Sequence, residues 1–259
     1  MEAVQKNWSE PQTFDGRLAA VVGQVESNVS LLRRPFWIER PAALGEPAAH
    51  VNRDGMCSVE GIGGVGKSTL AALFANQCQE RMLVWWIPSE DANLLLLGFE
   101  KIGRAVGVNL QRVPGRGGAD PAVYRRNLAQ SVYAKLAKRQ VGTLLVLDNV
   151  TEASACPDFL PNQARSTKVV VTTRDANLLS LYMPNVPLGP FEEAEACSYM
   201  RNRFRAARRP FDDQSTASLV VEVGLVPQQL ELAAAYLQAK PQVTVAAYID
   251  TLRSLKQGT

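Results

Sequence analysis

The sequence predicts an α/β fold, a parallel sheet layered between helices, with a purely helical segment after it. Three observations carry that prediction. Short apolar runs alternate with helically spaced segments from Met56 to Leu188, the pattern of βα units. A complete Gly-rich phosphate-binding pattern, residues 61–69, lies between the first such strand and the helix after it. Beyond Pro190 four helical segments follow with no strand between them.

The elements read as follows. Residues 1–13 are polar, and a helix is predicted over Leu18–Leu32. Residues 40–54 carry Pro41, Gly45 and Pro47, with Gly55 just beyond, and read as an irregular loop. Met56–Glu60 is a strand that leads into the Gly-rich loop. Leu70, Leu73, Phe74 and Cys78 then share one helical face. Met82–Ile87 is a strand stopped by Pro88; Ala92–Val106 is a helix; Arg112–Pro121, with three glycines and two prolines, is a loop. Ala122–Arg139 is a helix with Val123, Leu128, Val132 and Leu136 spaced along it. Thr143–Leu147 is a continuous apolar run, expected of a strand buried on both faces. Lys168–Thr172 is a β-branched strand, and Asn185–Leu188 a short one. The helices Glu192–Arg208, Asp213–Val223, Gln228–Ala239 and Val245–Lys256 complete the chain. The expected division is an N-terminal segment over 1–54, a nucleotide-binding α/β domain over 55–190 and a helical subdomain over 191–259.

With 259 residues, 46% of them hydrophobic, the chain can bury a sizeable core. A net charge of +3, mixed in sign, argues against nucleic acid as the main partner. Cys57, Cys78, Cys156 and Cys197 show no metal-ligand spacing and read as buried free thiols of a reducing compartment. The N-terminus has no apolar signal core, and the longest apolar run, around Leu94–Leu97, is too short to span a bilayer. A soluble, cytoplasmic protein is expected. No internal repeat is visible.

The pattern G-x-x-x-x-G-K-[ST] is met by Gly61, Gly66, Lys67 and Ser68, with Gly63 and Gly64 between. Glycines let the backbone curl around an anion with its N–H groups inward. Lys67 brings positive charge to the β- and γ-phosphates, and the Ser68 hydroxyl is placed to ligate Mg²⁺. The helix starting there adds the partial positive charge of its N-terminus. The fold class is therefore a P-loop NTPase three-layer sheet.

Such a loop needs a carboxylate to hold Mg²⁺. Leu144–Leu147 is followed by Asp148, at the strand edge where ligands of open α/β sheets bind. The plainer alternative is an Asp that caps a turn. Asn149 stands where many P-loop ATPases carry a base. An amide orients water but cannot take its proton, so slow turnover is expected, and Asn149→Asp is expected to speed hydrolysis. Arg174, at the end of the Lys168–Thr172 strand, is placed to sense a γ-phosphate, or else pairs with Asp175 at the surface.

The strings Gly-Ile-Gly-Gly-Val-Gly-Lys-Ser-Thr, Val-Trp-Trp-Ile-Pro, Leu-Leu-Val-Leu-Asp-Asn and Val-Val-Val-Thr-Thr-Arg resemble the NB-ARC class of STAND NTPases. These are switch ATPases of plant resistance proteins, apoptosis scaffolds and bacterial regulators, and the chain looks most like the members bearing tetratricopeptide repeats. Phe14-Asp15-Gly16-Arg17 is similar to the family's Gly-Arg element on the adenine side, and Gly224–Leu230 to its Gly-Leu-Pro-Leu-Ala-Leu motif. The resemblance spans about residues 14–256. It implies that Gly64, Val65 and Gly66 offer backbone amides, and that Lys67, Ser68 and Thr69 hold phosphates and Mg²⁺. It implies Mg²⁺ coordination by Asp148 and γ-phosphate sensing by Arg174. Arg17 and Pro227 would contact the adenine side. The family's winged-helix domain and its histidine do not follow, so the chain is expected to be the nucleotide-binding core alone.

The arginines at 201, 203, 205, 208 and 209 read as a solvated helix face, with a lid cluster or an acidic-partner site as the alternative. Trp85 and Trp86 read as core residues facing opposite sides of a strand. Function then divides three ways. The first is an ATP/ADP switch that self-associates in the ATP state. The others are a small-molecule kinase and a work-performing ATPase. A GTPase is disfavoured, because no Asn-Lys-x-Asp guanine-reading motif occurs.

Overall fold

In a computed structural model, residues 37–257 are described, apart from 39, 140, 152–154, 162–166 and 176. The Leu18–Leu32 helix and Arg17 lie outside the described residues.

The first element corrects the sequence reading. Residues Pro41–Asp54 form a helix, α1, and not a loop. Its prolines and glycines punctuate it. Pro41 sits in the first turn, where a missing N–H costs nothing, and Gly55 closes the helix in the left-handed region at φ 80°. Pro47 is inside the helix, yet it is buried with Leu44 and Val51 on the face that meets the sheet. Packing of that face outweighs one lost backbone bond.

The strands are β1 (Met56–Glu60), β2 (Met82–Pro88), β3 (Gly142–Val150), β4 (Thr167–Thr173) and β5 (Asn185–Pro187). They form one sheet in the order β2-β3-β4-β1-β5, and every pairing is parallel. The connecting helices are α2 (Lys67–Cys78), α3 (Ala92–Ala105) and α4 (Pro121–Leu136). On one face α1 and α2 pack Leu44, Val51, Leu70 and Phe74 against Val84, Leu144, Val146 and Val170. On the other, α3 and α4 pack Phe99, Ile102, Leu128 and Val132 against Ile87, Leu145, Leu147 and Val169. Successive residues of β3 thus serve opposite cores, as the two-residue strand period requires. Trp85 and Trp86 follow the same rule, one in each core. In α4, Val123 is exposed and Tyr124 is buried in its place, its hydroxyl donating to Glu100 at 2.8 Å.

The C-terminal helices are α5 (Glu193–Ala206), α6 (Asp213–Val223), α7 (Pro227–Ala239) and α8 (Val245–Gln257). They share a third core, with Phe204, Leu219, Leu230, Leu237 and Ile249 buried together. Four of the five arginines expected on a solvated face instead tie this bundle together. Arg201 pairs with Asp213 and Arg203 with Glu231; Arg205 lies over Phe211; Arg209 donates to the Leu237 and Val243 carbonyls. All four cysteines are buried free thiols, and burial pushes Cys57, Cys78 and Cys156 up to about 12. Among the described residues no helix is long and apolar enough to cross a membrane.

Candidate functional site

Between the end of β1 and the start of α2 the chain reverses over Gly61–Gly66. Gly64 and Gly66 take φ values of 76° and 102°, which side chains disfavour. Space demands glycine too: a Cβ on Gly64 would lie 2.2 Å from Gln228 Oε1. Lys67 opens α2 and is buried. Its ammonium donates to the carbonyls of Gly61 at 2.7 Å and Ile62 at 3.0 Å. Burial first, then the Arg174 cation, push the Lys67 ammonium below the ordinary lysine value; Asp148 and Glu60 act the other way. The Arg174 guanidinium lies over the loop, its Cζ 3.6 Å from where a Gly63 Cβ would stand. Asp175 does not hold it; that carboxylate accepts from the Asn177 N–H instead.

Asp148 is positioned by an irregularity in β3. The β3–β4 register shifts between Leu147 and Val150, and Asn149 sits in the bulge at φ 63°. Bulges of this kind re-aim side chains next to active sites, and asparagine tolerates the left-handed region better than most residues. Two hydroxyls converge on Asp148 Oδ1: Ser68 Oγ donates at 2.7 Å and Thr172 Oγ1 at 2.6 Å. Thr172 Oγ1 in turn accepts the Asn149 N–H at 2.7 Å. A chain of hydrogen bonds therefore joins the P-loop helix, β3 and β4 at the carboxylate.

The helical part closes the cleft from the other side. Pro227 begins α7, its ring 3.9 Å from where a Gly66 Cβ would stand, and the Gln228 N–H donates to the Gly64 carbonyl at 3.1 Å. The far end is stapled by Arg40. Its guanidinium donates to the carbonyls of Gly189 and Pro190 and to Glu195, and lies 5.3 Å from the Phe191 ring centre. The cleft measures about 600 Å³ and is open to solvent.

The structure brings Gly63, Gly64, Val65, Gly66, Lys67, Ser68, Thr69, Asp148, Asn149, Arg174 and Pro227 to this one cleft. Gly61 stands behind the loop, its carbonyl engaged by Lys67. Val65 buries its side chain in the core, and its N–H turns back to the Ile62 carbonyl at 3.4 Å. The sequence reading missed Trp37, Ile38, Arg40, Glu90, Thr172 and Gln228, all of which line the cleft. Gln228 adjoins Pro227, which it did single out, and Thr172 stands two residues before Arg174; Arg40 and Glu90 carry no local signal.

Comparison with known proteins follows the same outline. No curated protein matches the chain. Among solved structures, a Walker-type ATPase of Pyrococcus abyssi superposes with a TM-score of 0.54 at 13% identity, over 88% of this chain and 77% of that one. A STAND protein with a tetratricopeptide-repeat sensor from Pyrococcus horikoshii gives 0.52 at 20% identity, over 78% of this chain and 30% of that one. Domain III of the Thermotoga maritima replication initiation protein DnaA gives 0.53 at 16% identity, over 89% and 98%. These likenesses establish the fold. The sequence profile of the NB-ARC domain matches residues 48–188, from the middle of α1 through β5 and including the P-loop, Asp148 and Arg174, and the chain belongs to the NB-ARC domain family.

Proposed function

We propose that this chain is the ATP- and ADP-binding core of a STAND-type signalling switch, with slow hydrolysis. The observation that carries the reading is the direct seat of the helical part on the phosphate loop, through Gln228 to Gly64 and Pro227 to Gly66. A change in what the loop holds is felt at once by the helices above it.

The site's chemistry suits a polyphosphate. Lys67 and Arg174 face one cleft, and among the described residues neither has a carboxylate at ion-pair distance. Their mutual repulsion is relieved by an anion between them. Lys67, with the loop amides of Gly63, Gly64 and Gly66–Thr69, would grip the phosphates. Ser68 and Asp148 present hard oxygens suited to Mg²⁺. Among the described residues no cluster of three or more acidic, His or Cys side chains could hold a metal alone, so phosphate and water would complete its shell. Arg174 would sense the γ-phosphate, and Pro227 would cover the nucleotide.

A ligand shifts such an equilibrium only by its differential affinity for the two states. ADP would favour the closed arrangement; ATP, reaching Arg174, would favour release of the helices and self-association. Protein partners would act through regions outside this chain, in the cytoplasm. Turnover is slow on this reading because product leaves only when the lid lifts.

The test is to denature purified protein and identify what it releases. Near-equimolar ADP is expected. An empty site with multiple turnover near about 1 s⁻¹ would favour a metabolic kinase or a work-performing ATPase and sink the switch.

A further inference from the structure

Three carboxylates of the described residues line the cleft: Glu90, Asp148 and Glu231. Two are already engaged. Asp148 accepts from Ser68 and Thr172. Glu231 accepts the Tyr199 hydroxyl at 2.6 Å and is paired with Arg203. Among the described residues, Glu90 has neither a hydroxyl nor a cation on its carboxylate, and its one side-chain partner there is the Asn149 amide, Nδ2 donating to Oε1 at 3.4 Å.

The backbone that carries Glu90 is held firmly. β2 and β3 run in parallel register to Pro88 and Asp148. The Ser89 N–H extends that pairing by donating to the Asp148 carbonyl at 2.8 Å, and Thr151 Oγ1 donates to the Glu90 carbonyl at 2.5 Å. Glu90 is therefore clamped beside the end of β3, next to the Mg²⁺ carboxylate. The Asn149 side chain, projected from the bulge at φ 63°, steers the Glu90 carboxylate. At 3.4 Å that contact is a weak hydrogen bond, which leaves the carboxylate able to turn toward a water.

From this juxtaposition we propose that Glu90 is a catalytic residue, the general base for ATP hydrolysis, and that Asn149 is a positioning residue that holds it. The proposal rests on the reading that this cleft binds ATP. An attacking water forms an oxygen–phosphorus bond at the γ-phosphate. The bond from that phosphorus to the β–γ bridging oxygen breaks, and its electron pair leaves with ADP. The water's proton passes to the Glu90 carboxylate and from there to solvent, leaving ADP and inorganic phosphate. Glu90 thus supplies from β2 the proton acceptor that position 149 lacks.

This reverses the sequence-based expectation for Asn149→Asp. A second carboxylate facing Glu90 repels it and replaces the donor that holds it, so the variant is no faster than the wild type.

The decisive variant is Glu90→Gln. Its amide oxygen still accepts from Asn149, so the fold and the nucleotide grip are retained. Single-turnover hydrolysis of Mg·ATP should fall at least about 100-fold, the usual share of a general base, while ADP and ATP affinities stay within about twofold. A second readout needs no assay of turnover: Glu90→Gln protein purified from cells should release ATP where wild type releases ADP. Wild type that hydrolyses no faster than Glu90→Gln, or Asn149→Asp faster than wild type, overturns the assignment. The two proposals fail separately. An empty, fast wild type slowed about 100-fold by Glu90→Gln removes the switch and keeps the base.

Discussion

At one end the cleft is a single continuous stretch, Gly63–Thr69, whose backbone forms the surface a phosphate would meet. At the other it is assembled from Trp37, Ile38 and Arg40, the segment Gly189–Phe191, and α5 and α7 with Tyr199 and Glu231. The first end depends on local chain geometry: two left-handed glycines and the start of α2. The second depends on side chains brought from more than 140 residues apart, as the Arg40–Gly189 bond shows. On the proposed reading, a grip on the phosphates would persist while the cover lifts, the property a switch needs, since its two states must differ at one end and not the other.

The largest effect should come from breaking the cover alone. Phe204 is fully buried in the helical core. Phe204→Ala should destabilise that part by about 3–5 kcal/mol. Hydrogen exchange should then show α5–α8 opening while the β1–β4 amides stay protected. Loss of protection across the whole chain would mean that the two regions fold as one unit.

Next comes the grip itself. Lys67→Ala should weaken ADP and ATP about 100-fold, equivalent to about 2.7 kcal/mol, with the fold intact. Calorimetric titration at fixed Mg²⁺ checks this, and a loss under fivefold would place the phosphate elsewhere. The smallest effect tests how Asp148 is held. Thr172→Val removes the hydroxyl that links Asp148 Oδ1 to the Asn149 N–H. It should cost about 1–2 kcal/mol of stability and weaken Mg²⁺-dependent binding more than Mg²⁺-free binding. Equal weakening of both would mean that Thr172 serves the fold and not the metal carboxylate.

Most of the α/β layer could be read in advance, because its signals are local. Leu144–Leu147 announces a strand buried on both faces, and β3 places successive residues in opposite cores. The one element misread in this layer, α1, fails for a definite reason. Proline and glycine density signals irregularity, but Pro41 and Gly55 stand at the two positions where a helix favours them. Pro47 is tolerated because its ring is buried with Leu44 and Val51. Similarly, Tyr124 and not Val123 faces inward, because the four-residue spacing of Leu128, Val132 and Leu136 continues back to position 124.

By itself the sequence determined the sheet, the Gly-rich loop and the placing of Lys67, Ser68, Asp148 and Arg174 at or beyond the ends of strands that meet in one cleft, because periodicity and a fixed motif spacing are written along the chain. Tertiary structure alone decided that Thr172 and Ser68 meet on one oxygen of Asp148, that Arg40 staples the far end, that Gln228 rests on Gly64, and that Glu90 stands beside Asn149. Each of these depends on parallel strands side by side or on a helix folded back over the loop, and the distances that make them interactions exist only after the chain has closed on itself.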